Sequence, residues 1–121
     1  MSRVKSRALN KEKGNFGEDV ANEYLIKNGA DILEKNFSNK FGEIDIIAKI
    51  DGLLVFVEVK SRTSLKFGYP SESVDLKKRR RIIQLAQFYI TIKNLSDVPV
   101  RFDVIEVFLI ETKLRHIINA F

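Results

Sequence analysis

Gly42-Glu43-Ile44-Asp45-Ile46-Ile47-Ala48-Lys49-Ile50-Asp51-Gly52-Leu53-Leu54-Val55-Phe56-Val57-Glu58-Val59-Lys60 is the stretch that decides the fold. Two runs rich in β-branched and apolar residues, Gly42 to Ile50 and Leu53 to Lys60, flank Asp51-Gly52. That dipeptide accepts the positive φ angles of a type I′ turn, so a hairpin is expected in which Ile50 faces Leu53. With alternation of period two, Ile44, Ile46 and Ala48 line one face of the first strand. Leu53, Val55, Val57 and Val59 line one face of the second, and the opposite faces are mixed, as suits a strand pair covered on both sides.

Counting outward from the loop sets Asp45 opposite Glu58 and Glu43 opposite Lys60, with all four side chains on the same face. Directly opposed β-carbons lie ~5 Å apart, and two carboxylates held that close repel unless something compensates. A divalent cation would remove the penalty, because hard cations such as magnesium take carboxylate oxygens. Lys60, two residues beyond Glu58, reaches a water on that metal, and the main-chain carbonyl of Val59 offers a further oxygen. These are the parts phosphodiester hydrolysis uses. A metal lowers the pKa of its bound water, and an ammonium orients that water or steadies developing negative charge. The plainer alternative is an acidic and basic ladder on an exposed sheet face. It accounts for Glu43 and Lys60 as an ion pair but leaves Asp45 against Glu58 unexplained. A register slip of one residue would turn Asp45 away from Glu58.

Outward from the hairpin, the spacing predicts a first helix over Asn15 to Asn28, with Phe16, Val20, Ala21, Tyr24 and Leu25 on one face and Gly29 as the stop. Glu18 falls in line with Ala21 and Leu25, at the border of the buried face. It either reaches inward to the site or, with Asp19, stabilises the first turn through the helix dipole. Ile32 to Phe37 reads as a short strand and Ser38-Asn39-Lys40 as a turn. After a loop from Ser61 to Ser73, Asp75 is a good N-cap for a helix reaching about Ile92, with an apolar stripe of Ile82, Leu85, Ala86, Tyr89 and Ile92. Val100 to Leu109 and Lys113 to Ile118 read as strands. Arg101 and Asp103 share a strand face, where they can pair with each other. His116 sits in an apolar stretch, where packing or capping outweighs catalysis. Phe67 and Tyr69, in the Gly-Pro loop, either stack on bases or plug the core. The expected fold is a single α/β domain with a mixed sheet flanked by helices, residues 14–121, preceded by a basic N-terminal arm, residues 1–13.

At 121 residues the chain suits one domain, and 45% hydrophobic with 31% charged residues is ordinary for a globular protein. The absence of cysteine excludes a disulfide framework, a zinc ribbon and a thiol nucleophile. Met1-Ser2-Arg3-Val4-Lys5 lacks an apolar signal-peptide core, and the longest purely apolar run, Leu53 to Val57, is far short of a membrane span. A soluble cytoplasmic protein is expected. The net charge of +5 and a pI near 9.5 point toward nucleic acid or another polyanion. Arg3, Lys5, Arg7, Lys11 and Lys13 form a loose basic group. Lys77, Lys78, Arg79, Arg80 and Arg81 form a block at a helix start, where cations oppose the helix dipole. Local helix stability does not account for that block, which favours phosphate binding over a merely solvated face. Lys78 shares its helical line with Ile82 and Leu85 and is expected to point toward the sheet.

The string Gly42-Glu43-Ile44-Asp45-Ile46-Ile47-Ala48, followed by Phe56-Val57-Glu58-Val59-Lys60-Ser61-Arg62, resembles the PD-(D/E)xK nuclease signature. More closely, the chain resembles the YraN family of small bacterial proteins. The resemblance rests on Gly14-Asn15-Phe16-Gly17-Glu18, the two strands, Phe67-Gly68 with Pro70, Lys78, Arg101-Phe102-Asp103 and the terminal His116-Ile117-Ile118-Asn119-Ala120-Phe121. It covers nearly everything after the N-terminal arm. It implies a restriction-endonuclease-like fold similar to that of archaeal Holliday-junction resolvases. On that similarity Asp45 and Glu58 are metal ligands, Lys60 is the catalytic lysine, and Glu18 matches the helical glutamate of the resolvases. Ile44 stands where the signature often has proline, a residue frequently absent there.

Together these features lead to the expectation of a divalent-metal-dependent endonuclease that hydrolyses DNA, including branched or Holliday-junction DNA, with Mg2+ or Mn2+ as cofactor. Asp45, Glu58 and Lys60 would be its centre and Glu43 and Glu18 its support, and the resolvase analogy allows a homodimer. The alternative is a non-catalytic nucleic-acid-binding module of DNA repair or recombination. A third reading is a scaffold partner in repair, with affinity for neither metal nor DNA. The carboxylates discriminate, since pure phosphate binding gains nothing from acidic groups facing the ligand.

Overall fold

The computed structural model describes residues 3–64 and 75–121, with side chains described from residue 15 onward. The aromatic pair Phe67 and Tyr69 and the basic side chains of the N-terminal arm lie outside the described residues. The elements in chain order are α1 (Arg3–Lys27), β1 (Asp31–Asn39), β2 (Gly42–Ile50), β3 (Leu53–Arg62), α2 (Leu76–Ile92), β4 (Val100–Phe108) and β5 (Lys113–Ile117). The strands form one sheet in the order β1-β2-β3-β4-β5. All neighbours are antiparallel except β3 and β4, which run parallel and are joined through α2. The expected mixed sheet between helices is therefore what the chain forms.

The β2–β3 hairpin has the expected loop. Ile50 pairs with Leu53 and the ladder continues through Lys49–Leu54, Ala48–Val55 and Ile47–Phe56 to Ile46–Val57. Asp51 and Gly52 take φ values of 49° and 79°, the two left-handed positions a type I′ turn demands. α2 begins as read: the Asp75 carboxylate accepts from the backbone N–H of Lys78 at 2.8 Å and so satisfies one free donor of the first turn. α1 differs, starting at Arg3 rather than at Asn15. Residues 3–13 contain good helix formers and no proline, so once the packed half of α1 is nucleated, extending it costs little.

The core lies in two layers, one on each sheet face. On one face α2 packs Ile82, Leu85, Ala86 and Tyr89 over Ile47, Leu54, Phe56 and Val104. On the other, Ala21 and Leu25 of α1 cover Ile46, Ala48, Val55, Val57, Ile105 and Val107. This double cover explains why β3 reads as a nearly continuous apolar run. One expected face does not hold. Ile44 joins the α2 layer with Ile47, while Ile46 and Ala48 join the α1 layer. The alternation breaks at Asp45, beside Asn36, whose φ of 54° puts the neighbouring β1 backbone in the left-handed region. Among the described residues no helix is long and apolar enough to cross a membrane.

Candidate metal centre

Asp45 stands where the hairpin opens. The paired ladder stops at Ile46–Val57, and beyond it the Oδ2 of Asp45 accepts the backbone N–H of Val59 at 2.7 Å. A side chain thus replaces a main-chain acceptor and bridges two strands that have begun to part. Burial pushes the Asp45 carboxyl up to about 8, with the charges of Glu58, Glu18 and Glu43 adding to the rise and the Val59 hydrogen bond opposing it.

Glu18 arrives from α1. Gly17 is buried, and a β-carbon there would collide with the Ser61 hydroxyl of β3, so glycine lets the helix approach the strand closely. The next residue, Glu18, faces Asp45 and Glu43, and carboxylate oxygens of the three lie within 4.8 Å of one another. Burial, then the charge of Glu43, raises the Glu18 carboxyl above its ordinary value. With its amide turned to donate, Asn36 reaches Glu43 at 2.7 Å and Glu18 at 3.1 Å. One neutral amide is thus shared between two carboxylates. Asn36 was not identified from the sequence. The available signal was the tolerance of asparagine for left-handed backbone inside an otherwise β-forming run.

Glu58 is 8% exposed and meets two lysines. Lys78 of α2 donates to its Oε1 at 2.7 Å, and the Nζ of Lys60 stands 3.7 Å from the same oxygen. Burial would lower the Lys78 ammonium, but its hydrogen bond to Glu58 and the nearby carboxylates outweigh that and hold it above the ordinary lysine value. Lys60 goes the other way, lowered by burial and by the neighbouring Lys78 ammonium. The two lysines are therefore electrostatically unequal.

The expected pairing of Glu43 with Lys60 is replaced by another arrangement. Because the ladder ends before either residue, Glu43 gathers with Glu18 and Asp45, and the ion pair of Lys60 is with Glu58. Val59 lends its N–H to Asp45 and pairs with Ile105 in the parallel ladder. The block at the start of α2 splits by direction. Lys78 points to the sheet as its helical line requires, and Arg79 lies over the Phe121 ring at 5.5 Å. Lys77 and Arg81 border an open cleft with Phe41 and Glu43, and Arg80 is exposed.

A second buried polar cluster lies behind the centre, on the α1 side of β4. Asp103, fully buried, accepts from Arg101 Nε and Nη2 at 2.9 Å each and from the Asn119 N–H at 3.0 Å. Its Oδ2 lies 2.7 Å from His116 Nε2, whose Nδ1 is 2.9 Å from the Tyr24 hydroxyl. Burial alone would raise Asp103, but the hydrogen bonds from His116 and Arg101 hold its carboxyl below the ordinary range. Arg101 and Asp103 do pair, and His116 sits between Asp103 and Tyr24, within hydrogen-bond distance of both.

The architecture is a five-stranded mixed sheet between two helices with an acid- and lysine-rich centre where the hairpin opens, consistent with a restriction-endonuclease-like fold. The model of the Uncharacterised protein family UPF0102 matches residues 17–107. The chain belongs to that family, the one it resembles by sequence under the name YraN. A UPF0102 protein of Clostridioides difficile (strain 630) is 61% identical over 112 residues, covering 93% of this chain and 98% of the relative. One from Caldanaerobacter subterraneus subsp. tengcongensis is 51% identical, covering 92% and 95%. One from Persephonella marina is 50% identical, covering 90% and 92%.

Proposed function

We propose that this chain is a divalent-metal-dependent endonuclease that hydrolyses phosphodiester bonds in DNA, including branched DNA. The observation that carries the reading is the gathering of Glu18, Glu43 and Asp45 within 4.8 Å beside a lysine-bound Glu58. Such a set suits Mg2+ or Mn2+: the donors are hard oxygens, and burial leaves the Asp45 carboxyl raised to about 8 until a positive charge compensates it. Asp45 would hold the ion, with Glu18 and Glu43 on one side and Glu58 on the other. When bound, the ion would supply Lewis acidity toward the phosphate and a more acidic water.

The chain's own groups supply the rest. The Val59 N–H fixes the Asp45 carboxylate, and Asn36 steadies Glu18 and Glu43. Lys78 locks Glu58, so that Lys60, the less tightly held ammonium, remains to orient a water or to face charge developing on the phosphate. Lys77 and Arg81 border the adjoining cleft and would meet the backbone phosphates.

The test is cleavage of labelled single-stranded, duplex, flap and four-way-junction DNA with Mg2+ or Mn2+, beside a Glu58→Ala protein. Cutting by the parent, abolished in the variant and by chelator, is the expected outcome. If neither protein cuts any substrate and both bind DNA equally well, the nuclease reading gives way to a non-catalytic binding module.

A further inference from the structure

The tip of the β1–β2 turn carries an exposed aromatic ring with no core role. Phe41 is 43% exposed, and its backbone N–H is held by the Asn39 side chain at 2.8 Å, which fixes the turn that presents it. The Lys40 ammonium lies 5.4 Å from the ring centroid. Opposite stands a single helical line of α2, Lys77, Arg81 and Gln84, at the three- and four-residue spacing that puts side chains on one face. Phe41, Gly42, Glu43 and Arg81 border both of two adjoining cavities in this groove, of about 260 Å³ and 610 Å³. Glu43 belongs to the acidic centre, so the groove runs directly into it.

We propose that Phe41 is a stacking platform for an unpaired nucleobase, whose flanking phosphates lie on Lys77 and Arg81. This rests on the nucleic-acid part of the reading above and names its substrate class: strands with an unstacked base near the cut, as at flaps and junctions. A flat ring, cations on the facing wall and a neighbouring amide match the face, phosphates and edge of one nucleotide. Inside a duplex both faces of a base are covered by neighbours, so only an unpaired or extruded base can offer its π-face to Phe41. The Lys40 ammonium lies over one face of the ring, so a base would stack on the other, and its charge adds attraction to the flanking phosphate.

The chain has no tryptophan, so Phe41→Trp introduces a single indole reporter. Its fluorescence and the anisotropy of labelled oligonucleotides are followed together in calcium, with cleavage read separately. Single-stranded and junction DNA are expected to quench the F41W signal at the concentrations where they bind, and blunt duplex to bind with little quenching. Phe41→Ala is expected to weaken single-strand binding roughly 5- to 100-fold with duplex binding unchanged, and Phe41→Tyr to retain it. Lys77→Ala and Arg81→Ala should weaken both forms alike and each lower the salt slope by about one. Oligonucleotide binding without quenching, or an F41A protein that binds single strands normally, overturns the stacking platform and leaves the nuclease reading standing. If no nucleic acid binds the parent protein, both fall. Loss of cleavage with quenching intact overturns the nuclease reading alone.

Discussion

Asp45 is surrounded by carboxylates, and the consequence is a dependence of stability on pH. A carboxyl whose folded pKa is raised contributes stability that is fully present below its unfolded value, near 3.8, and is lost as pH rises through about 8. Asparagine keeps an oxygen for the Val59 N–H and carries no charge. Asp45→Asn should therefore melt higher than the parent in EDTA, with an advantage that grows from pH 5 to pH 9. Each kcal/mol of repulsion removed is worth roughly 4 °C in a chain of this length, and equal melting temperatures across that range would contradict the crowding of charge. Lys78 is the other informative residue. Lys78→Met leaves Glu58 without its shortest hydrogen bond but with the Lys60 ammonium still 3.7 Å away, and losing a hydrogen bond to a charged group should cost about 1.5–3 kcal/mol. Denaturant melts of parent and variant read that loss, and equal midpoints would contradict the hold of Lys78 on Glu58. Lys78 was legible because its helical line runs through Ile82 and Leu85. Glu43 was legible as a supporting group but its partner was not, because period-two counting assumes a ladder that continues past Ile46.

The centre exists because α1 comes close to β3, and that approach depends on Gly17. A larger side chain would strike Ser61, moving Glu18 away from Asp45. Gly17→Val should destabilise by about 1–3 kcal/mol, as overpacking does, and weaken metal binding as well. A denaturation midpoint equal to the parent's would show that the helix has room to spare. Asp103 plays a comparable tying role among β4, β5 and α1, since its carboxylate and His116 together reach Tyr24. Asp103→Ala leaves Arg101 without its bidentate partner and should cost about 3–5 kcal/mol near neutral pH. Because its folded pKa is lowered, the parent's Asp103 contribution is fully present above the unfolded value near 3.8 and is lost as pH falls through the folded one. The difference between parent and variant should thus shrink in acid.

At the scale of the whole molecule, the carboxylates of the centre come from α1, β2 and β3, so occupancy by a cation would bind three elements to one another. A ligand that binds only the folded state stabilises it by about 2.7 kcal/mol at a hundredfold excess over its Kd. Mg2+ or Mn2+ should accordingly raise the melting temperature. The rise should be larger at pH 9 than at pH 6, because below about 8 the ion competes with a proton on Asp45. Calcium, a hard oxygen-seeking ion, should do the same without regard to cleavage. Melting that is indifferent to all three ions at both pH values would remove the metal centre while leaving the fold untouched.

The order of strands and helices, the hairpin loop and its register as far as Ile46–Val57 were determined by the sequence itself. Turn chemistry at Asp51-Gly52, the Asp75 cap and the apolar periods of α2 and β3 are local properties, set by neighbours a few residues apart. The same local reading placed Asp45, Glu58 and Lys60 near one another across a two-residue loop. Tertiary structure decided everything that depends on where strands part and helices land. It separated Glu43 from Lys60, joined Glu18 and Glu43 to Asp45 through Asn36, and gave the closest hold on Glu58 to a lysine twenty positions away. The physical reason is that a twisted sheet diverges at its open end. There, side chains stop following the pleat and take the partners that charge and burial supply.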